Sequence, residues 1–477
     1  MNRAAAIVSL VLGSLALAAC GGSPISDAER RLGAEQHPQL LAEFGGAYPG
    51  EEAAYLAALG ERLAAAADLG GQCTFTLINS DVVNAFAVPG CYIYVTRGLL
   101  ALVNSEAELA SVMAHELGHI ARDHSERQER REMLRNLGVA AIGAITGSRE
   151  LSHLAGTAAT YFTLRYSRKH EYEADDFGLE TLEKVGYDPH AEADMLVALE
   201  RYQAFQERTR GVDEARSIPE WALTHPLTRH RVERAHKAAA EVTHDPDALP
   251  ENEAGFLRHA DGLLYGDDPE QGFVLGRRFA HPVMRIAFEA PPGFTLTNSP
   301  QAIGIEGPDG LRGEFSGGEL PPGGLAGYAE ALLGEALGQA PYQTVAADPV
   351  AVNGVPALLV QVTVATGQGH VPVSLAVFAP GGRAAYHFFM VSPPGRPAAE
   401  AIGALFRSFE VLGAAELATL KPRTIRVRTV GPGDTLQTMV GRMASERPLE
   451  QFLMLNGRTR SDPLRPGERV KLIEWAG

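Results

Sequence analysis

The pentapeptide His115-Glu116-Leu117-Gly118-His119 constrains this chain more than any other stretch, because histidines four residues apart share one ligand only on a helix. Roughly 0.06 copies of such a pattern are expected by chance from this composition, so its surroundings must carry the reading. Ser105 followed by Glu108 is a capping-box signal, which predicts a helix starting there and running through Ala107–Ala114 into the motif. Ala114, Leu117 and Ile120 set that helix against a core, and His115 and His119 then meet at a single ion. Glu116 points about 100° away, where a carboxylate can take a proton from a metal-bound water. The residue types suit one Zn²⁺ per chain, with His115 and His119 as ligands and Glu116 as general base.

Catalytic zinc needs a third protein ligand and one open position. Glu171-Tyr172-Glu173-Ala174-Asp175 supplies two carboxylates at i and i+4, on a helix that ends at Gly186. Glu171 is therefore favoured as the metal ligand over other acids such as Asp123, and Asp175 as a group behind it that orients a ligating histidine. Glu173 faces elsewhere and reads as a solvated acid.

At typical domain sizes 477 residues make about two to four domains. The net charge of −16 repels phosphate backbones and excludes nucleic acid as a main partner. Hydrophobic residues at 45% and charged residues at 21% exclude a disordered or polytopic membrane chain. Residues 1–19 carry one charge, Arg3, before an apolar run from Ile7 to Ala19 that suits a signal peptide and is too short to span a membrane. From Asp27 to Leu69 the spacing is helical, stopping at Gly70-Gly71. Two β-type runs follow, Cys73–Ile78 and Tyr92–Thr96, and helices dominate from Ser105 to about Ala240. Asp245–Pro250 reads as a boundary loop. Between Gly262 and Leu412, Pro/Gly turns separate short β-rich runs such as Ala357–Val364 and Val373–Phe378, with helices near Gly327–Leu337 and Ala398–Phe406. The apolar runs Leu137–Ile145 and Leu154–Leu164 are too short to cross a bilayer and read as buried or surface helices. Cys73 and Cys91 either form a disulfide or stay free in neighbouring strands, which spacing alone does not decide.

Asn84–Gly90 before Tyr92–Val95, His115–His119, Ser167–Asp175 and His225-Pro226 with Arg231, in that order, resemble the HtpX/BepA/CAAX-prenyl-endopeptidase family of zinc metallopeptidases. Thr224 precedes the His-Pro pair. The resemblance implies His115, His119 and Glu171 as zinc ligands, Glu116 as general base, and His225 with Arg231 near the substrate or the fourth metal position. Cys91 departs from the family, whose members commonly have a second Gly there. The strand Tyr92-Ile93-Tyr94-Val95 is expected to pair with an extended substrate through backbone hydrogen bonds.

Leu17-Ala18-Ala19-Cys20-Gly21 resembles the lipobox of bacterial lipoproteins, which implies a lipidated Cys20 that anchors the chain to a membrane. Gly21 in place of Asp favours the outer membrane in that sorting pattern. The last fifty residues, from Thr424–Val430 through Gly431-Pro-Gly-Asp434-Thr435-Leu436 and Asn456-Gly457 to Leu464–Leu472, resemble a LysM module, with Asp434 or Thr435 capping its first helix. LysM modules bind N-acetylglucosamine-containing glycans, so peptidoglycan is an implied partner.

The chain is thus expected to be an α+β multidomain protein. Residues 1–19 form the signal peptide, 20–30 a lipidated tether, and 31–258 a mainly helical zincin-type peptidase domain with a small sheet. Residues 262–412 form an α+β antiparallel-sheet domain, and 421–477 a βααβ LysM-like module. The expected activity is a zinc metalloendopeptidase facing the periplasm, cleaving unfolded or misassembled envelope proteins by Glu-assisted attack of zinc-bound water. The alternative is a latent peptidase, with His225 on the metal, serving as an assembly chaperone or peptidoglycan-binding scaffold. A zinc amidase acting on peptidoglycan is a further alternative, although its metal usually sits in other motifs.

Overall fold

In the computed structural model Ser105 caps the motif helix as its sequence demands, its Oγ accepting from Glu108 N at 3.0 Å. The Glu108 carboxylate turns outward by one residue and accepts from Asn104 N at 2.8 Å rather than closing the box on Ser105. The structure describes residues 25–125, 127, 166–210, 225–226, 229–243, 249–338, 340–366, 369–395 and 398–477. The expected signal peptide, Cys20, Thr224 and the runs 137–145 and 154–164 lie outside them, as do parts of the tether and of the 245–250 loop.

The N-terminal helical stretch is two helices, α1 (Asp27–Glu43) and α2 (Glu51–Ala66). Gly45 and Gly46, with φ of 87° and 86°, turn the chain between them and so divide the stretch of helical spacing in two. Three short strands follow, β1 (Thr74–Ile78), β2 (Ala85–Val88) and β3 (Tyr92–Thr96), in the order β1-β3-β2. β3 pairs parallel with β1 and antiparallel with β2, so both its edges are taken. The expectation that Tyr92, Ile93, Tyr94 and Val95 pair with a substrate is therefore corrected, because a strand with two partners has no backbone donors or acceptors left. Among the described residues β1 and β2 are the two outer strands of this sheet, and the end of β1 is bridged to Ala47 at Ile78.

Cys73 and Cys91 are bridged, tying the start of β1 to the start of β3 across a Cα separation of 4.6 Å. At Cys91 the backbone has φ of 64°, the left-handed conformation in which glycine costs least.

The motif helix α4 (Glu106–Ala121) follows a short helix α3 (Arg97–Leu102), and every residue from Glu106 to His119 is buried. Such a helix sits inside a shell of other elements. Here they are the small sheet, α2, α5 (Arg168–Val185) and α6 (Ala191–Arg210), with α7 (Arg229–Val242) lying on α5 and α6. Ser167 caps α5, its side chain accepting from His170 N, and Gly186 ends it in the left-handed conformation.

The second part of the chain is built on a seven-stranded antiparallel sheet of β8 (Thr295–Asn298), β9 (Ile303–Glu306), β10 (Arg312–Glu319), β11 (Tyr342–Val352), β12 (Val355–Thr366), β13 (Gly369–Gly381) and β14 (Ala384–Val391), in the order β11-β12-β13-β14-β10-β9-β8. Strand β12 (Val355–Thr366) shows why the sequence alternates there. Val360, Val362 and Val364 pack under a helix α8 (Gly324–Leu337), whereas Val355 and Ala357 face a cluster rich in Phe, with Phe279, Phe288, Phe315 and Phe388. A smaller sheet of β5 (Phe273–Leu275), β6 (Arg278–His281), β7 (Ile286–Glu289) and β15 (Glu410–Val411), in the order β15-β7-β6-β5, closes that second face. The molecule is thus a mixed α+β, multidomain chain.

Near the end, β16 (Arg423–Thr429) and β17 (Arg469–Trp475) pair antiparallel around two short helices, Leu436–Val440 and Pro448–Leu455. Thr435 caps the first of these, its Oγ1 accepting from Thr438 N at 3.2 Å. β16 also pairs with β4 (Leu264–Tyr265), so this last sheet takes in a strand from before the seven-stranded domain. Ile425, Phe452, Leu472 and Ile473 share one core with Leu99, Leu102 and Leu199. Lys471, fully buried, donates its three N–H bonds to the carbonyls of Ala101, Leu102 and Val103 at 2.7–3.0 Å. The C-terminal unit thereby covers the end of α3, immediately ahead of the helix that carries the motif.

Candidate metal centre

Gly118 sets how closely α4 and α5 approach: a Cβ there would stand 3.1 Å from Ala174 Cα and 3.2 Å from Ala174 O. This contact brings two i,i+4 pairs face to face, His115 and His119 on α4 and Glu171 and Asp175 on α5. His225, just before Pro226, enters from a third direction. His115, Glu116, His119, Glu171 and His225 are each at most 1% exposed.

The donor atoms converge on one point. His119 Nε2 is 3.1 Å from His115 Nε2, and each lies 3.7 Å from a Glu171 oxygen. His225 Nδ1 lies 3.3 Å from His115 Nε2 and 3.2 Å from Glu171 Oε1. A tetrahedral ion with bonds of about 2.0–2.1 Å holds its ligand atoms about 3.4 Å apart, so these spacings are those of a zinc coordination shell. Three imidazoles and a carboxylate are also the donor set that zinc takes. A second buried group, His115, Asp175 and Glu192, also lies within reach of one ion, but there the Arg231 guanidinium already supplies the positive charge.

Glu116 lies beside the cluster, its Oε1 3.5 Å from His225 Nε2 and its carboxylate accepting from the backbone of Ala87 on β2. Burial pushes it up to about 8, against the opposing pull of His115. Burial would also raise Glu171, but His225 and Arg231 outweigh it and hold the carboxyl below its ordinary value. Burial and the neighbouring histidines keep His119 neutral, which is its ligating form.

Arg231, read from the sequence as a group near the substrate or the fourth metal position, is spent behind the ligands. Its guanidinium grips Asp175 at 2.9 and 2.6 Å and reaches Glu171 Oε2 at 2.9 Å. Asp175 Oδ1 in turn stands 3.0 Å from His115 Nδ1. Asp123, the rival acid, is solvent-exposed and enters none of these contacts.

Two groups were missed by sequence reasoning. Glu192 on α6 is fully buried, hydrogen-bonded to Ser111 and to Asp175, and pushed up to about 8 by burial and the Asp175 charge. Nothing in its local spacing marks it, since its partners lie on α4 and α5. His124 is buried against His119, and Glu173, expected to be a solvated acid, accepts from His124 and Arg127. Five residues separate His124 from His119 in the sequence, and that proximity was the available signal.

Residues 51–239 match the model of Peptidase family M48. The chain is similar to the beta-barrel assembly-enhancing protease of Escherichia coli strain K12, 32% identical over 223 residues, which are 43% of this chain and 42% of that protein. It is 31% identical to the protease of the same name from Yersinia pestis over 41% of this chain and 40% of that one. It is 37% identical to the mitochondrial metalloendopeptidase OMA1 of Arabidopsis thaliana over 24% of this chain and 23% of that one. The matched region spans about two fifths of the bacterial relatives' length. Among the described residues no helix is long and apolar enough to cross a membrane.

Proposed function

Because residues 51–239 of this chain match the model of Peptidase family M48, a family of zinc metallopeptidases, we propose that the protein is a zinc metalloendopeptidase of the bacterial cell envelope. The observation that carries this reading is the convergence of His115, His119 and Glu171 beside the buried carboxylate of Glu116. Zinc held there supplies Lewis acidity, which acidifies a water and polarises a peptide carbonyl. Glu116 is the group that accepts the proton, and the Ala87 backbone fixes the orientation of its carboxylate. Arg231 and Asp175 hold Glu171 and His115 in place. An extended substrate would add to the β2 edge, Ala85–Val88, next to Glu116.

Unfolded or misassembled envelope proteins are the substrates this reading favours, since pairing through backbone groups is tolerant of sequence and needs an extended chain. Cys20 would tether the protein to the outer membrane, facing the periplasm. The β16–β17 unit would act as a LysM-like module on peptidoglycan; its presence in the pellet when the full-length protein is spun down with insoluble peptidoglycan supports this, and its absence removes it.

One observation favours a second reading, of a peptidase that is latent at rest: His225 Nδ1 stands where a fourth ligand would complete the shell. Cleavage of an unfolded polypeptide should vanish on chelation and return with zinc, and insensitivity to chelation would sink the zinc reading. His225→Ala separates the two roles of that histidine. A rise in turnover means that His225 closes the site, and a fall of about 10²-fold or more means that it stabilises the oxyanion.

A further inference from the structure

An imidazole that binds a metal through one nitrogen keeps its orientation only if the other nitrogen is also held. For His115 that second atom, Nδ1, stands 3.0 Å from the Asp175 carboxylate. Among the described residues no carboxylate stands at the equivalent place of His119. Its Nδ1 is 2.9 Å from Nδ1 of His124, and Nε2 of His124 is 3.0 Å from Glu173 Oε2. Arg127 reaches the same Glu173 oxygen at 2.7 Å, and Lys169 reaches the other at 3.4 Å. His170 stacks on the His124 ring, with centroids 4.4 Å apart and planes 9° from parallel, while Tyr166 stacks on His119 at 3.9 Å.

We propose that His124 and Glu173 form a positioning pair that fixes the tautomer and ring orientation of His119. The assignment of protons has one solution. His119 turns Nε2 towards the other donors, so its lone pair belongs there and its proton sits on Nδ1. His124 must then accept at Nδ1, which places its own proton on Nε2, and that N–H donates to Glu173. Two cationic side chains keep Glu173 an acceptor. The two histidine ligands are thus steadied by different means, His115 by a buried carboxylate locked to Arg231, and His119 by a neutral histidine that leads to a carboxylate 29% exposed at the surface. Glu171 and Glu173 stand two residues apart on α5, so this helix supplies both a metal ligand and the end of the support for another.

This proposal rests on the zinc reading of the centre. Its test is the zinc dissociation constant of the full-length protein, measured by competition with a chromophoric chelator. His124→Leu, which removes both hydrogen bonds, should weaken zinc about 10–100-fold, and Glu173→Ala should weaken it in the same direction. His124→Gln, whose amide both accepts and donates, should recover most of the affinity; mere filling of space would not make Gln better than Leu. Unchanged affinity in folded His124→Leu overturns the pair, and should that variant fail to fold, unchanged affinity in Glu173→Ala does so. Wild-type protein that binds no zinc overturns the metal reading itself, whereas zinc-binding wild type with unaffected variants overturns only the positioning pair.

Discussion

Glu116→Gln should abolish cleavage of an unfolded polypeptide, lowering kcat/KM by about 10²–10⁴-fold, while the protein keeps its zinc. The substitution is nearly isosteric, and Glu116 is not among the four converging donors, so the metal shell has no reason to change. What is lost is the carboxylate that accepts the proton. The amide still accepts from Ala87, so the side chain stays in place and the loss is chemical rather than structural. Zinc content by atomic absorption and cleavage by gel assay, run on the same preparation, decide the matter. Cleavage at the wild-type rate by zinc-loaded Glu116→Gln would remove Glu116 from the mechanism.

Arg231→Met should cost about 3–5 kcal/mol of folding stability, the largest structural effect expected of a single substitution at this site. Arg231 is 1% exposed and is the cationic partner of Asp175 and Glu171 at once. Its removal leaves two buried carboxylates, plus Glu192 hydrogen-bonded to one of them, with no compensating charge. Arg231 is held well above its ordinary pKa: desolvation opposes its charge, but Asp175 and Glu171 outweigh it. Arg231→Lys should recover part of the loss, since it restores the charge without the fork that grips Asp175. Thermal unfolding measured without added zinc tests this apart from metal binding. A melting temperature equal to that of the wild type would show that Arg231 does not carry the burial of these acids.

How much of this site is legible in the sequence depends on how far apart the cooperating residues lie along the chain. His115 and His119, or Glu171 and Asp175, are related by one helical turn, and caps at Ser105 and Ser167 start both helices within three residues. Such relations are written locally. Glu173 shows where local reasoning fails: helical periodicity turns it away from Glu171, but its partners His124 and Arg127 come from beyond the end of α4. The Tyr92–Val95 strand shows the same for sheets, because an alternating apolar run reveals a strand but not whether its neighbours occupy one edge or two. The N-terminal helices fail for a different reason, since Gly45-Gly46 lies inside a stretch whose overall apolar spacing stays helical.

By itself, the sequence determined the motif helix, the two pairs of candidate ligands and the order of helical, β-rich and mixed regions, because capping, periodicity and turn chemistry act over a few residues. The tertiary structure alone decided that Arg231 serves the carboxylates, that β3 is central and β2 an outer strand, that His225 stands at the fourth corner of the shell, and that Lys471 roots the C-terminal unit beside the motif helix. The contacts of Arg231, His225 and Lys471 among these join residues from 54 to 370 positions apart. Their placement is set by how buried faces pack and how buried charges find partners, and those energies exist only once the chain has closed on itself.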